Sequence, residues 1–142
     1  GVAGHSMGGQ ATLFASSYGN ASASRIRAAV MQHPYSATQL PAPAVPFLAF
    51  TGSADYVAPP RMSEAFYDAA GRQGTAAHRG FVNKQGATHF EPLLWEGGHM
   101  DLSRFTAAWF KLHLEGVARQ DGVDYEALIY GKGEASLCGG GD

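Results

Sequence analysis

Four short strand-like runs separated by helix-length segments constrain the fold of this chain more than any other feature. Val2 and Ala3 read as the last residues of a buried strand. Arg27 to Met31 is a second run, closed at His33-Pro34 because a residue before proline is pushed out of helical geometry. Phe47 to Thr51 is a buried strand stopped by Gly52, and His78 to Asn83 is a more polar run suited to a sheet edge. Between them lie a helix from Gly9 to Tyr18, a Pro-rich connection from Leu40 to Pro46, and a helix opened by Pro59-Pro60 that runs to Ala70. A last helix is expected from Asp101, its N-cap, to Glu115, with Leu102, Phe105, Trp109 and Leu112 on one stripe. Strands alternating with helices predict an α/β fold, a mainly parallel sheet with helices on both faces.

Composition removes other classes. A chain of 142 residues with 45% hydrophobic and 15% charged residues is one domain that can bury a core. The net charge of -2, without basic or acidic blocks, carries no electrostatic footprint for nucleic acid or an anionic membrane. The longest apolar run, Ala44 to Phe50, is too short to span a bilayer and contains Pro46, so no transmembrane segment is expected. Cys138 is the only cysteine, which excludes an internal disulfide framework or a Cys-based zinc cluster. It is left either as a free thiol or as the partner of a cysteine beyond this sequence. The chain opens on strand residues without an initiator Met and supplies few strands for its class. It is therefore expected to be the C-terminal part of a longer domain whose early strands are absent. An N-terminal polypeptide would complete the fold, and residues 117–142 would form a C-terminal tail with one short apolar segment (Tyr125, Leu128, Ile129, Tyr130) and a frayed Gly-rich end.

The chemistry concentrates in three places. Gly4-His5-Ser6-Met7-Gly8-Gly9 fits G-x-S-x-G between strand residues and a helix. A serine at the apex of such a turn projects its hydroxyl above the sheet, and glycines at -2 and +2 are expected to let strand and helix approach. The N–H of Met7 then points to where an oxyanion would form. In a Gly-rich chain the bare pattern persuades little, and context carries the assignment. A hydroxyl needs a base, and the base needs an orienting acid. Asp55 lies just past the strand ending at Thr51, and His89 follows the next strand in Gly86-Ala87-Thr88-His89-Phe90. Loops at the carboxyl edge of a parallel sheet are where such groups converge.

Other acidic residues and histidines offer weaker candidates. Asp68 falls within a helix and Asp101 reads as a cap. His99, in Gly97-Gly98-His99-Met100, competes with His89. His5 reads as a packing or hydrogen-bonding residue, His33 as a pocket-lining one, and His78 and His113 as surface residues. His89, Glu91, Glu96 and His99 fit neither H-E-x-x-H nor its inverse, so the segment reads as a solvated loop and no metal is expected. Trp95 reads as packing against the last helix, and Asn20-Ala21-Ser22 is a glycosylation sequon that matters only in a eukaryotic secretory setting.

The segments GHSMGG, FTGSADYVAP and GATHF resemble the α/β-hydrolase superfamily, and are most similar to its cutinase-like, polyester-hydrolase and dienelactone-hydrolase-related branch. The likeness runs over about residues 1 to 115. It implies Ser6 as nucleophile, Asp55 as the triad acid, His89 as general base and Met7 as one oxyanion donor. Gln32-His33-Pro34-Tyr35 resembles the family's Gln-x-Pro-aromatic stretch, which implies that Tyr35 packs against the substrate acyl group. Dienelactone hydrolases proper use a cysteine nucleophile, so Ser6 favours an esterase, lipase or cutinase. The resemblance implies small-molecule or polymeric ester substrates, no cofactor and an extracellular location. The same triad also serves peptidases, thioesterases and acyltransferases, and a truncated, non-catalytic chain is a further alternative.

Overall fold

The computed structural model describes residues 1–17, 21, 24–36, 42–93, 98–133 and 135–137, with the backbone alone for 98–101. Strands β1 (Val2–His5), β2 (Ala29–Gln32), β3 (Phe47–Gly52) and β4 (Arg79–Lys84) form one sheet in sequential order, every pair parallel. Helix α1 (Met7–Ser17) connects β1 to β2, and α2 (Pro60–Gln73) connects β3 to β4. Because side chains alternate across a strand, β2 and β3 feed two separate cores. Ala29, Met31, Phe47 and Ala49 pack with Leu13 of α1 and Phe66 and Ala70 of α2. Val30, Leu48 and Phe50 pack on the other face with Leu102, Ala108 and Trp109 of α3 (Gly98–Phe110) and Ile129 of α4 (Tyr125–Tyr130). Burying each of the larger side chains contributes about 1.5–3 kcal/mol.

Every residue of β3 is buried, as a central parallel strand requires. β4 is half-exposed at one edge, in keeping with its polar sequence. β1 departs from the buried strand expected of Val2 and Ala3. Among the described residues it pairs on one side only, with β2, and Ala3 is exposed.

The C-terminal third differs from the expectation in three ways. α3 begins at Gly98, so Asp101 lies inside the helix rather than capping it. Beyond Phe110 the chain loosens into a π-helical turn over Lys111–Glu115, ended by Gly116 in the left-handed region at φ 69°. Residues 117–130 are no tail. β5 (Arg119–Gln120) and β6 (Val123–Asp124) pair antiparallel around Asp121-Gly122, at φ 51° and 79°. Asp-Gly with two positive φ angles is the sequence signal of a two-residue hairpin, and it was legible before folding. The Asp124 carboxylate then accepts from Ala127 N at 2.9 Å and starts α4. Ile129 needs that helix to reach the core, where it is 1% exposed. Cys138, Trp95 and the termini of the Asn20 sequon lie outside the described residues.

His113, expected at the surface, packs its ring 4.2 Å from that of Trp109 and 5.0 Å from that of His78. Its Nε2 shares a 3.1 Å hydrogen bond with the Tyr130 hydroxyl. Burial first, and the nearby His78 second, push its pKa from 6.5 down to about 4. The folded chain therefore resists a proton that the unfolded chain accepts, so stability falls as pH drops from 6.5 towards 4. His113→Gln, which cannot take up that proton, should lose less melting temperature across this window in thermal scans than the parent. An equal loss in both would contradict the assignment.

Candidate active site

Ser6 sits between the last residue of β1 and the first of α1, with φ at 55°. A non-glycine residue held there costs about 1–3 kcal/mol and persists only where its surroundings over-determine it. Its backbone is so determined. Ser6 N donates to Gln32 O at 3.0 Å, while Ser6 O accepts from Gln10 N and Tyr35 N, each at 3.0 Å. Gly4 is required by close approach, since a Cβ there would stand 2.2 Å from Gly8 O. Gly8 itself would tolerate a side chain, with nothing within 4 Å, so the expected need for a glycine at +2 is not met here. The second tight glycine is Gly9, whose Cβ would lie 2.8 Å from that of Pro34. Met7 opens α1, so its N–H belongs to a first turn that has no intrahelical acceptors.

Asp55 and His89 leave the same edge of the sheet on the loops after β3 and β4. Gly52 lets those loops touch. A Cβ on it would stand 2.2 Å from Ala87 O, the atom that accepts a 3.0 Å hydrogen bond from Ala54 N. The His89 imidazole bridges the other two groups, with Nε2 2.8 Å from Ser6 Oγ and Nδ1 2.9 Å from Asp55 Oδ2. An ionised carboxylate only accepts, so His89 Nδ1 donates, and a neutral ring then offers its Nε2 lone pair to the Ser6 hydroxyl. Asp55 Oδ1 accepts from Val57 N at 2.9 Å and Ala58 N at 2.7 Å. Burial alone would raise the Asp55 pKa, but the Ala58 amide, then His89 and His33, outweigh it and hold the carboxyl below its usual range.

His33 corrects an expectation. It is 0% exposed, so it lines no pocket open to a substrate. Its Nδ1 instead lies 2.9 Å from Asp55 Oδ2, the oxygen that also holds His89. Glu91, expected in a solvated loop, is buried. One of its oxygens accepts from Lys84 Nζ, and the other lies 3.4 Å from His33 Nε2. Neither role had a sequence signal, because both depend on loops from different strands meeting. His5 behaves as anticipated for a hydrogen-bonding residue. Its Nε2 donates to His89 O at 2.7 Å and so holds the base's loop, and burial, the largest influence, lowers its pKa. Tyr35 stands beside Ser6 through its backbone bond and is half-buried. The side chain of His99 and all of Glu96 lie outside the described residues.

His33, Asp55 and His89 bring ligand-type atoms within 4.8 Å of one another. Both imidazole Nδ1 atoms are already committed to Asp55 Oδ2, however, so their lone pairs do not converge on a common point. The arrangement can instead move a proton from Ser6 Oγ to His89 and stabilise the imidazolium that results. Large apolar side chains follow Ser6, Asp55 and His89 along the chain, with Met7, Tyr56, Val57 and Phe90 all exposed.

A family model described as PETase: PET hydrolase-like matches residues 1–127. No curated protein matches the chain.

Gly52→Ala tests the loop contact. Overpacking against backbone costs about 1–3 kcal/mol, so the variant should melt at lower temperature and lose turnover, because the Asp55 and His89 loops must separate. Parent-like melting and turnover would show that the loops do not need this approach.

Proposed function

The chain belongs to the PET hydrolase-like family, an α/β-hydrolase family related to cutinases and polyester hydrolases, and from that premise we propose that it cleaves carboxylic esters through an acyl-enzyme on Ser6. The family implies hydrolase activity. The ester substrate and the residue roles are our reading. The observation that carries it is the unbroken line from Ser6 Oγ to His89 Nε2 at 2.8 Å and from His89 Nδ1 to Asp55 Oδ2 at 2.9 Å.

In this mechanism His89 removes the Ser6 proton as Oγ attacks the ester carbonyl, and Asp55 stabilises the imidazolium. The Met7 N–H, at the positive end of α1, donates to the tetrahedral oxyanion. His89 returns its proton to the departing alkoxide, leaving an ester bond between the acyl group and Ser6. Water, deprotonated by the same imidazole, then releases the acid and restores Ser6. Tyr35 is assigned to the acyl group. The exposed apolar side chains of Met7, Tyr56, Val57 and Phe90 favour a hydrophobic substrate, small or polymeric. We also assign the protein an extracellular location, the one typical of the family. No helix among the described residues is long and apolar enough to cross a membrane.

A fluorophosphonate probe should label Ser6 and release from p-nitrophenyl esters should exceed that from the matching anilide. Ser6→Ala should abolish labelling and reduce turnover by about 10⁶, and Asp55→Asn by about 10⁴. Labelling elsewhere, or activity surviving Ser6→Ala, would overturn the assignment.

A further inference from the structure

We infer that His33 is a positioning residue for this hydrolysis, donating its Nδ1–H to the Asp55 oxygen that also holds His89 and so setting how strongly Asp55 acts on the base. The inference rests on the roles proposed for Ser6, Asp55 and His89.

The carboxylate supplies the first argument. Two oxygens offer about four acceptor sites, and four donors occupy them. The Val57 and Ala58 amides take Oδ1, and His89 Nδ1 and His33 Nδ1, each at 2.9 Å, take Oδ2. The two rings stand nearly perpendicular, at 87°, with centroids 6.1 Å apart. They approach one oxygen from different sides, and each can donate without displacing the other. The Asp55 carboxylate accepts only, so the proton on His33 must lie on Nδ1.

The second argument is what the chain does to hold His33 there. Its φ is 45°, left-handed backbone in a non-glycine residue, immediately before Pro34. Residues before proline favour extended conformations, and this one is kept from it by His33 N donating to Phe50 O at 2.8 Å and by a side chain that is completely buried. On the far side of the ring, Nε2 faces Glu91 Oε2 at 3.4 Å, and neither atom has another hydrogen-bond partner among the described residues. The polar line thus runs from Lys84 through Glu91, His33, Asp55 and His89 to Ser6, crossing the ends of three strands.

The consequence is electrostatic. A second donor on Oδ2 spreads the carboxylate charge and weakens its stabilisation of the His89 imidazolium, so that Nε2 more readily passes the proton it took from Ser6 to the leaving alkoxide. Among the described residues, the charged and titratable groups around His89 are Asp55 from the β3 loop, His33 after β2, His5 on β1, and Glu91 and Lys84 from the β4 side. Of these, His33 shares the oxygen that holds the base.

The test compares wild type, His33→Leu and His33→Asn on a soluble p-nitrophenyl ester across pH. Leucine removes the donor, whereas the asparagine amide nitrogen can reoccupy the Nδ1 position. His33→Leu should lower kcat about tenfold, as expected for one hydrogen bond to a charged group, with KM little changed. The acid limb of its kcat/KM profile should move to higher pH, since an unshared Asp55 holds the His89 proton more tightly. His33→Asn should restore the limb and most of kcat. A packing role alone would lower the melting temperature and leave the limb in place, and that result, or His33→Asn behaving like His33→Leu, overturns the inference. Should the leucine variant not fold, ¹⁵N-histidine NMR of the wild-type chain decides the matter. A proton on His33 Nδ1 supports the inference, and an unprotonated Nδ1 refutes it. Activity that survives Ser6→Ala would defeat the underlying mechanism, whereas an unmoved limb with an inactive Ser6→Ala chain would defeat the role of His33 alone.

Discussion

The Asp55 carboxylate is the interaction on which the site depends. It takes two backbone amides from its own loop and two imidazole nitrogens from loops that follow other strands. A buried charge without such partners would be expensive. With them, the carboxylate stays ionised and links the ends of β2, β3 and β4 at one point, while His5 ties β1 to the His89 loop.

The parallel sheet makes this convergence possible. In β1 to β4 every strand runs the same way, so each carboxyl end delivers its loop to a common edge. The two cores hold that edge in register, because alternate residues of β2 and β3 lock helices onto opposite faces. Close approach then needs backbone without side chains, at Gly4 beneath the serine turn and at Gly52 beneath Ala87. The order of causes runs from apolar alternation to strand direction, then to loop contact, and only then to a hydroxyl within 2.8 Å of an imidazole.

Much of this was legible in the sequence. The G-x-S-x-G turn, the buried run Phe47 to Thr51, and the positions of Asp55 and His89 just past strand ends are local facts, each with a local physical cause. The Asp121-Gly122 hairpin is equally local, but one short apolar segment next to a Gly-rich end resembles a tail and hides it. Gly8 misled in the other direction, since a pattern position need not be a steric requirement. His33 and Glu91 could not have been assigned. A histidine after a strand looks the same whether it faces solvent or a buried carboxylate, and a glutamate in a loop is exposed far more often than not.

Periodicity, turn chemistry and residue order along the chain determined the α/β class and put Ser6, Asp55 and His89 forward as candidates, because each depends on neighbours a few positions apart. Tertiary structure alone decided that Asp55 serves two histidines, that Gly9 rather than Gly8 is the second tight glycine of the serine turn, and that residues 119–130 complete the second core. Those outcomes depend on which loops meet across the sheet. Contacts between residues dozens of positions apart are set by packing and strand order, and leave no periodic trace in the sequence.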